Sequence, residues 1–342
     1  MKLGGRLRRI REGLNLTQDE LARAVGLSGE FISQIEIGRR TPSLQSLKKI
    51  AEYVGRDMAY FLSEEQDPFQ GLFKKRKFTG QKALVKSFRG YCGDYLKLEE
   101  LTGRRVHPAP LYSGESPLSL AETERRRIGA GEEPVRDIFE LLESNGLRLL
   151  RSPFPDKSRL AGIFLYYPTE QAAFGLIDGC LSDGRQAIAA AHLYCHYLKD
   201  RANGPIADDT DIFIRDYLPL YHPRERYAQE FALAFLMPPG RLDHMIRRDM
   251  ASTRIRYEDV IRLKRYFGIP AEAMLGALVD SGFISVQQRG EFEAYDHAAF
   301  EKSLFGDLIG DRLPASPVET VTSSRYKTLG VIAYGSSPQE SS

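Results

Sequence analysis

The 342-residue sequence predicts a multidomain protein, with an all-α unit in its first 66 residues and an α+β unit beginning near residue 118. Three observations carry this. The first sixty or so residues repeat a pattern of capping residue, apolar helical periodicity and terminating glycine. Residues 147–178 instead hold three short apolar runs of strand length, LRLL, AGIFLYYP and AAFGLID. After them come two stretches with helical patterning, RQAIAAAHLYCHYLKD and RERYAQEFALAFLMPP, the second ended by Pro238-Pro239.

Taken in order, Leu3, Leu7, Ile10 and Leu14 recur at helical spacing and predict the first helix. Thr17 caps the second, and Glu20, three residues on, completes a capping box. Leu21, Ala22 and Val25 supply its inner face before Gly26 ends it. Ser28 caps a third helix carrying Phe31, Ile32 and Ile35, ended by Gly38. Pro42-Ser43 opens a fourth with Leu44, Leu47, Ile50, Ala51 and Val54 inward, and Met58 to Leu62 reads as a short fifth. Short helices with a tight turn between the second and third describe a helix-turn-helix, the element that reads DNA.

SEEQDPFQG (63–71) reads as a polar linker, and residues 67–117 as a basic linker and helix. Within FKKRKFTGQKALVKSFRG (73–90), Lys74, Lys75, Arg76, Lys77, Lys82, Lys86 and Arg89 occur without one acidic residue. Two readings stand for this run: an extended phosphate footprint, or a solvated helix face. In the α+β unit, 118–285, Pro134 is expected to open a helix with Ile138, Leu141 and Leu142 inward and Gly146 closing it. Further helices are expected over 255–285. Residues 286–342 form a C-terminal extension whose last residues, GSSPQESS, read as disordered.

Composition narrows the function classes. The formal net charge is +2, and the first 66 residues hold eleven Lys and Arg against nine Asp and Glu, so any basic surface is local. Cys92, Cys180 and Cys195 are odd in number and lack a C-x-x-C pair, which fits a reducing cytosol rather than a disulfide framework. MKLGGRLRRIREGLNL has no apolar core of a signal peptide, and no run approaches the ~18 apolar residues of a membrane span. A cytoplasmic location is expected. His192 and His196 stand four apart in a helical stretch, which puts both imidazoles on one side, as for two zinc ligands in H-E-x-x-H. A lone H-x-x-x-H also arises by chance. His107, His244 and His297 have no partner at ligand spacing.

Residues 3–62 resemble the Xre/Cro-type helix-turn-helix family through LTQDELARAVGLSGEFISQIEIGRRTPSLQSLKKIA: Thr17-Gln18, Ala22, Gly26, Ser28, Ile32, Ile35-Glu36, Gly38 and Pro42-Ser43-Leu44. The resemblance implies a third helix in the major groove of double-stranded operator DNA. Carried over by position, Gly29, Glu30, Ser33 and Gln34 face bases, Ser28 begins that helix, and Thr17, Gln18, Arg39 and Arg40 face phosphates. Gln34 suits adenine and Glu30 a cytosine amine. Gly29 departs from the usual polar residue and removes one base contact. A single such unit reads only a few base pairs, so a homodimer built by the region after residue 70 is expected. The competing reading is a helical bundle serving protein contacts alone.

Residues 118–245 resemble the ImmA/IrrE family of zinc metallopeptidases. The resemblance rests on AETERRRIGAGEEPVRDIFELLESNGLRL, on Arg185 seven residues before His192, on the paired His192 and His196, and on Glu225, Ala228, Phe231, Ala232 and Leu236-Met237-Pro238. It implies an α+β zincin-like fold and a zinc cofactor, with His192, His196 and Glu225 as ligands and Asp200 and His222 as fallbacks. Cys195 is near enough to be a fourth ligand, or else a small buried apolar residue. Where the family has its catalytic Glu, this chain has Leu193. That Glu moves the proton in hydrolysis, a contribution of ~100- to 10,000-fold, and Leu can move none. A retained metal and a vestigial pair of packed histidines both stand. The expected function is a DNA-binding transcriptional regulator with a degenerate, catalytically inactive metallopeptidase-like sensor or dimerisation domain, answering a small-molecule, metal or peptide effector. The alternative is an active zinc endopeptidase that cleaves a partner repressor. Leu193→Glu is expected to recover some hydrolysis if the three ligands converge on a metal.

Overall fold

In the computed structural model the described residues are 3–13, 16–54, 58, 61, 69, 72–73, 77–103, 106–213, 223–249, 254–313 and 320–321. Leu14, most of the expected fifth helix and linker, Lys74 to Arg76, His222, and the tail from Pro314 apart from Thr320 and Val321 lie outside them. The chain divides into two units, residues 1–70 with 96–104, and residues 71–95 with 105–342.

The first unit carries α1 (Leu3–Gly13), α2 (Gln18–Val25), α3 (Gly29–Glu36) and α4 (Leu44–Tyr53). Local caps set their ends. The Thr17 hydroxyl accepts from the Glu20 backbone N–H at 3.2 Å, while the Glu20 carboxylate accepts from the Thr17 N–H at 2.7 Å. Ser28 caps α3 through the Phe31 N–H, and Ser43 caps α4 through the Ser46 N–H. Leu7, Leu21, Ile32, Ile35, Leu47 and Ile50 form the core. Leu44, expected inside, is exposed, because it occupies the first position after the cap and the helix meets the core only from Leu47 on.

Two contacts lock α3 into this unit. A side-chain carbon on Gly4 would lie 2.0 Å from the Ile35 carbonyl oxygen, so α1 and α3 cross with only a glycine between them. Beside that crossing, buried Arg11 donates to both oxygens of buried Glu36, at 2.7 and 3.0 Å.

The helix α5 (Gln81–Thr102) has residues 81–95 in the second unit and the rest in the first; its Leu84, Phe88, Cys92 and Tyr95 are buried while Lys82, Lys86 and Arg89 are exposed. Exposure of these three cations is compatible with both readings of the basic run. Next come α6 (Pro117–Arg127) and α7 (Ile138–Ser144). The latter starts later than Pro134 suggested: the Asp137 carboxylate accepts from the Glu140 N–H at 3.0 Å and fixes the first turn there.

The sheet is built from β1 (Leu147–Ser152), β2 (Leu160–Tyr167), β3 (Ala172–Asp178), β4 (Ile206–Asp209) and the two-residue β5 (Thr320–Val321). Its order is β4-β2-β3-β1-β5, with β1 and β3 parallel and the other pairs antiparallel. Against it lies α8 (Asp183–Lys199), buried almost all round, with the polar Gln186, His192 and His196 among its buried residues. Its other side meets α9 (Pro223–Leu236) through Tyr194, Phe231 and Phe235. The α-helices that follow among the described residues are α10 (Pro239–His244), continued by a π-helical turn at Met245–Asp249, α11 (Tyr257–Phe267), α12 (Ala271–Asp280), α13 (Val286–Glu293) and α14 (His297–Phe305). Buried Lys264 ties α11 to Glu301 of α14 and, at 2.5 Å, to Asp311. Among the described residues no helix is long and apolar enough to cross a membrane.

Candidate metal centre and DNA-reading helix

The candidate metal centre is assembled by three elements of the second unit. His192 and His196 come from the middle of α8, Glu225 from the first turn of α9, and Asp208 from β4. One ligand atom from each of the four lies within 4.8 Å of every other. Glu225 Oε2 stands 3.2 Å from Nε2 of both imidazoles. An Asp208 oxygen lies 3.7 Å from His192 Nε2 and another 3.8 Å from His196 Nε2. The three residues the sequence singled out are thus brought together, and Asp208 joins them unannounced.

Partners on the far ring edges orient both histidines. Asp200, one residue past the end of α8, places its carboxylate 2.8 Å from His196 Nδ1. The Gln229 side-chain oxygen lies 3.4 Å from His192 Nδ1. A carboxylate on Nδ1 leaves Nε2 facing the cluster, the arrangement usual behind a metal-bound histidine. Asp200, a fallback ligand from sequence, sits on the opposite ring edge from Glu225. Cys195 is buried and outside the cluster.

The electrostatics are those of a buried cluster in which two carboxylates face two imidazoles. Burial pushes the Asp208 carboxyl up to about 6, against the pull of the two imidazoles. Burial acts the same way on Glu225, but its hydrogen bonds to His192 and His196 outweigh it and hold that carboxyl well below the usual range. Burial lowers His196, yet Asp200 and Glu225 together raise it to about 9. Two imidazole nitrogens and two carboxylates form a donor set that zinc accepts. The buried Asp208 Oδ2 accepts no hydrogen bond, so it has a lone pair to offer. The residues fit the ion.

Leu193 carries no proton-transfer group and packs into the sheet. It is wholly buried, and its Cδ1 would lie 3.1 Å from a side-chain carbon added at Gly162 of β2 or Gly175 of β3. The helix register is fixed from its other side by Glu124 of α6. This buried carboxylate accepts from the Tyr194 hydroxyl, from Tyr112 at 2.9 Å and from Arg127 at 2.8 Å. Arg185 pairs with Glu272 of α12 and stacks over Phe213.

In the first unit, Glu30 is exposed on α3 and Ser33 and Gln34 are half-buried, with exposed Arg39 and Arg40 just beyond the helix. The Gln34 amide donates to the Glu30 carboxylate at 2.9 Å. A side-chain carbon at Gly29 would meet the exposed Asp19 carboxylate at 1.8 Å, so Asp19 would have to swing aside to admit one. Thr17 spends its hydroxyl on Glu20, and the Gln18 amide donates to Glu36 at 2.8 Å, so both are held by their own unit. Arg40 lies over the Phe31 ring.

Four helices with a capped third helix define a helix-turn-helix unit, and a helix carrying paired histidines under a mixed sheet defines a zincin-like one. Comparison with known proteins agrees: residues 7–61 match the helix-turn-helix family, and residues 143–278 match the IrrE N-terminal-like domain. The chain joins an Xre-type helix-turn-helix domain to an ImmA/IrrE-like domain. It is similar to two proteins of Bacillus phage phi105: the ImmF control region 10 kDa protein, 39% identical over 57 residues, and the immunity repressor protein, 35% identical over 65 residues. Those stretches are 17% and 19% of this chain, and they span 63% and 45% of the two relatives.

Proposed function

We propose that this protein is a sequence-specific DNA-binding transcriptional regulator whose zincin-like domain holds zinc but does not hydrolyse peptides. The observation that carries the DNA-binding half is α3, which presents Glu30, Ser33 and Gln34 in front of exposed Arg39 and Arg40. Side chains that read base edges stand beside side chains that neutralise phosphates. A phage relative named an immunity repressor supports the same reading.

For the second domain, His192, His196 and Glu225 would hold the ion. A bound zinc supplies Lewis acidity. The remaining residues orient it: Asp200 and Gln229 fix the imidazoles, and the packed sheet face keeps water from Leu193. A peptidase also needs a group at that point that takes and returns a proton, and Leu193 carries none. The competing reading, an active endopeptidase acting on a partner repressor, requires hydrolysis without that group.

The test is selection of bound sequences from random duplex DNA, followed by two variants. Gln34→Ala should lose discrimination at one base position, at a cost of ~1–3 kcal/mol. Arg39→Ala should weaken binding to all sequences alike and flatten its salt dependence. Variants that both bind the selected operator as the unmodified protein does would refute the assignment.

A further inference from the structure

We propose that Asp208 is a fourth protein ligand, so that with His192, His196 and Glu225 it makes a closed site holding a divalent cation structurally. This rests on the reading that the cluster holds zinc, and it adds a residue outside the ligand set that resemblance supplies.

The distances favour it. In a tetrahedral zinc site with bonds of about 2.0–2.1 Å, neighbouring ligand atoms lie roughly 3.3–3.4 Å apart. Here the two histidine–Glu225 separations are 3.2 Å and the two histidine–Asp208 separations are 3.7 and 3.8 Å. These last two run to different oxygens, Oδ2 and Oδ1, so each imidazole nitrogen has an Asp208 oxygen within about half an ångström of a ligand–ligand edge.

Its setting gives a second, independent reason. Asp208 is only 3% exposed, and its Oδ2 accepts no hydrogen bond. A carboxylate taken out of water is strongly disfavoured unless something compensates it, and a neighbouring carboxylate, Glu225, adds to the penalty. A cation held between the two removes both penalties. The strand also delivers the group deliberately. Ile206 and Asp208 point inward on β4 while Ala207 and Asp209 are half-exposed, and Asp208 pairs across from Gly162, the residue under Leu193. An acid thus stands where strand alternation calls for an apolar residue.

The chemical consequence separates this site from a hydrolytic one. Catalytic zinc keeps three protein ligands and one exchangeable position, whereas structural zinc has four protein ligands. With Asp208 bound, the domain lacks the open position as well as the proton carrier. The ion would instead fasten β4 to α8 and α9.

The full chain loaded with cobalt(II) tests this, because cobalt reports its own coordination in visible absorption. The expected result is a four-coordinate spectrum that azide does not change, since no position is exchangeable. In Asp208→Ala the spectrum should respond to azide, and zinc affinity, measured by chelator competition, should fall by at least the ~10- to 100-fold typical of losing an outer-shell partner. Asp208→Asn keeps the shape without the anionic donor, and its affinity should fall too, which preserves the test should the alanine variant not fold. An azide-responsive unmodified protein, or Asp208 variants with unchanged affinity, would overturn the fourth ligand alone. A protein that takes up neither cobalt nor zinc would overturn the zinc-holding reading, and the proposal with it.

Discussion

Leu193→Glu is the substitution that sequence reasoning offers as a rescue, and the packing predicts that it fails. Leu193 is fully buried with its Cδ1 over the two glycines Gly162 and Gly175, on neighbouring strands. Removing the leucine forfeits about 1.5–3 kcal/mol of apolar burial. The replacing carboxyl, held protonated in that setting, costs about 1–3 kcal/mol more if it finds no hydrogen-bond partner. The sum is about 2.5–6 kcal/mol, or roughly 5–24 °C in melting temperature at the 2–4 °C per kcal/mol of a domain this size. Since the chain has no Trp, far-ultraviolet circular dichroism is the suitable monitor, with hydrogen exchange in β2 and β3 as a local one. Leu193→Met, which conserves volume, should cost less than about 1.5 kcal/mol and serves as control. A Leu193→Glu protein that melts with the unmodified one, or that cleaves a repressor in a zinc-dependent way abolished by His192→Ala, would refute this reasoning.

Three further outcomes are expected. Asp200→Asn weakens the carboxylate behind His196 and should lower zinc affinity ~10- to 100-fold while leaving operator binding by the isolated reading helix chemistry intact, measured by chelator competition and by DNA titration. Gly4→Ala drives a methyl into the Ile35 carbonyl, 2.0 Å away, and should speed amide exchange throughout α1 and α3; exchange matching the unmodified protein would show that the crossing can relax. The full chain should sediment as a homodimer at micromolar concentration, and a strictly monomeric mass with and without operator would count against paired half-sites.

What was legible in the sequence was mostly local. The caps at Thr17, Ser28 and Ser43 act over three residues, so spacing alone reveals them. Pro134 misled for the same reason: Asp137 is the better cap, and only one of the two starts the helix. His192 and His196 were visible at one helical turn, and Glu225 through resemblance. Asp208 carried a weaker signal. It shares β4 with Asp209, and which acid faces inward depends on pairing with β2, 46 residues earlier at Gly162. The Glu36 contacts to Arg11 and Gln18 span 25 and 18 residues and have no spacing rule to betray them. Gln18 was assigned to phosphate on position alone, whereas the fold gives its amide to a buried carboxylate.

The hydrogen bond between Gln34 and Glu30 has a consequence for how an operator would be read. The two side chains already hold each other across one turn of α3. A base that takes the Gln34 amide releases the Glu30 carboxylate, which is then free to accept from, or repel, the base beside it. Contributions from residues sharing one network do not add. A table of independent energies per base should therefore misjudge double substitutions at those two positions, and the error should vanish in Glu30→Ala. Selectivity would then be written in pairs of bases rather than in single letters.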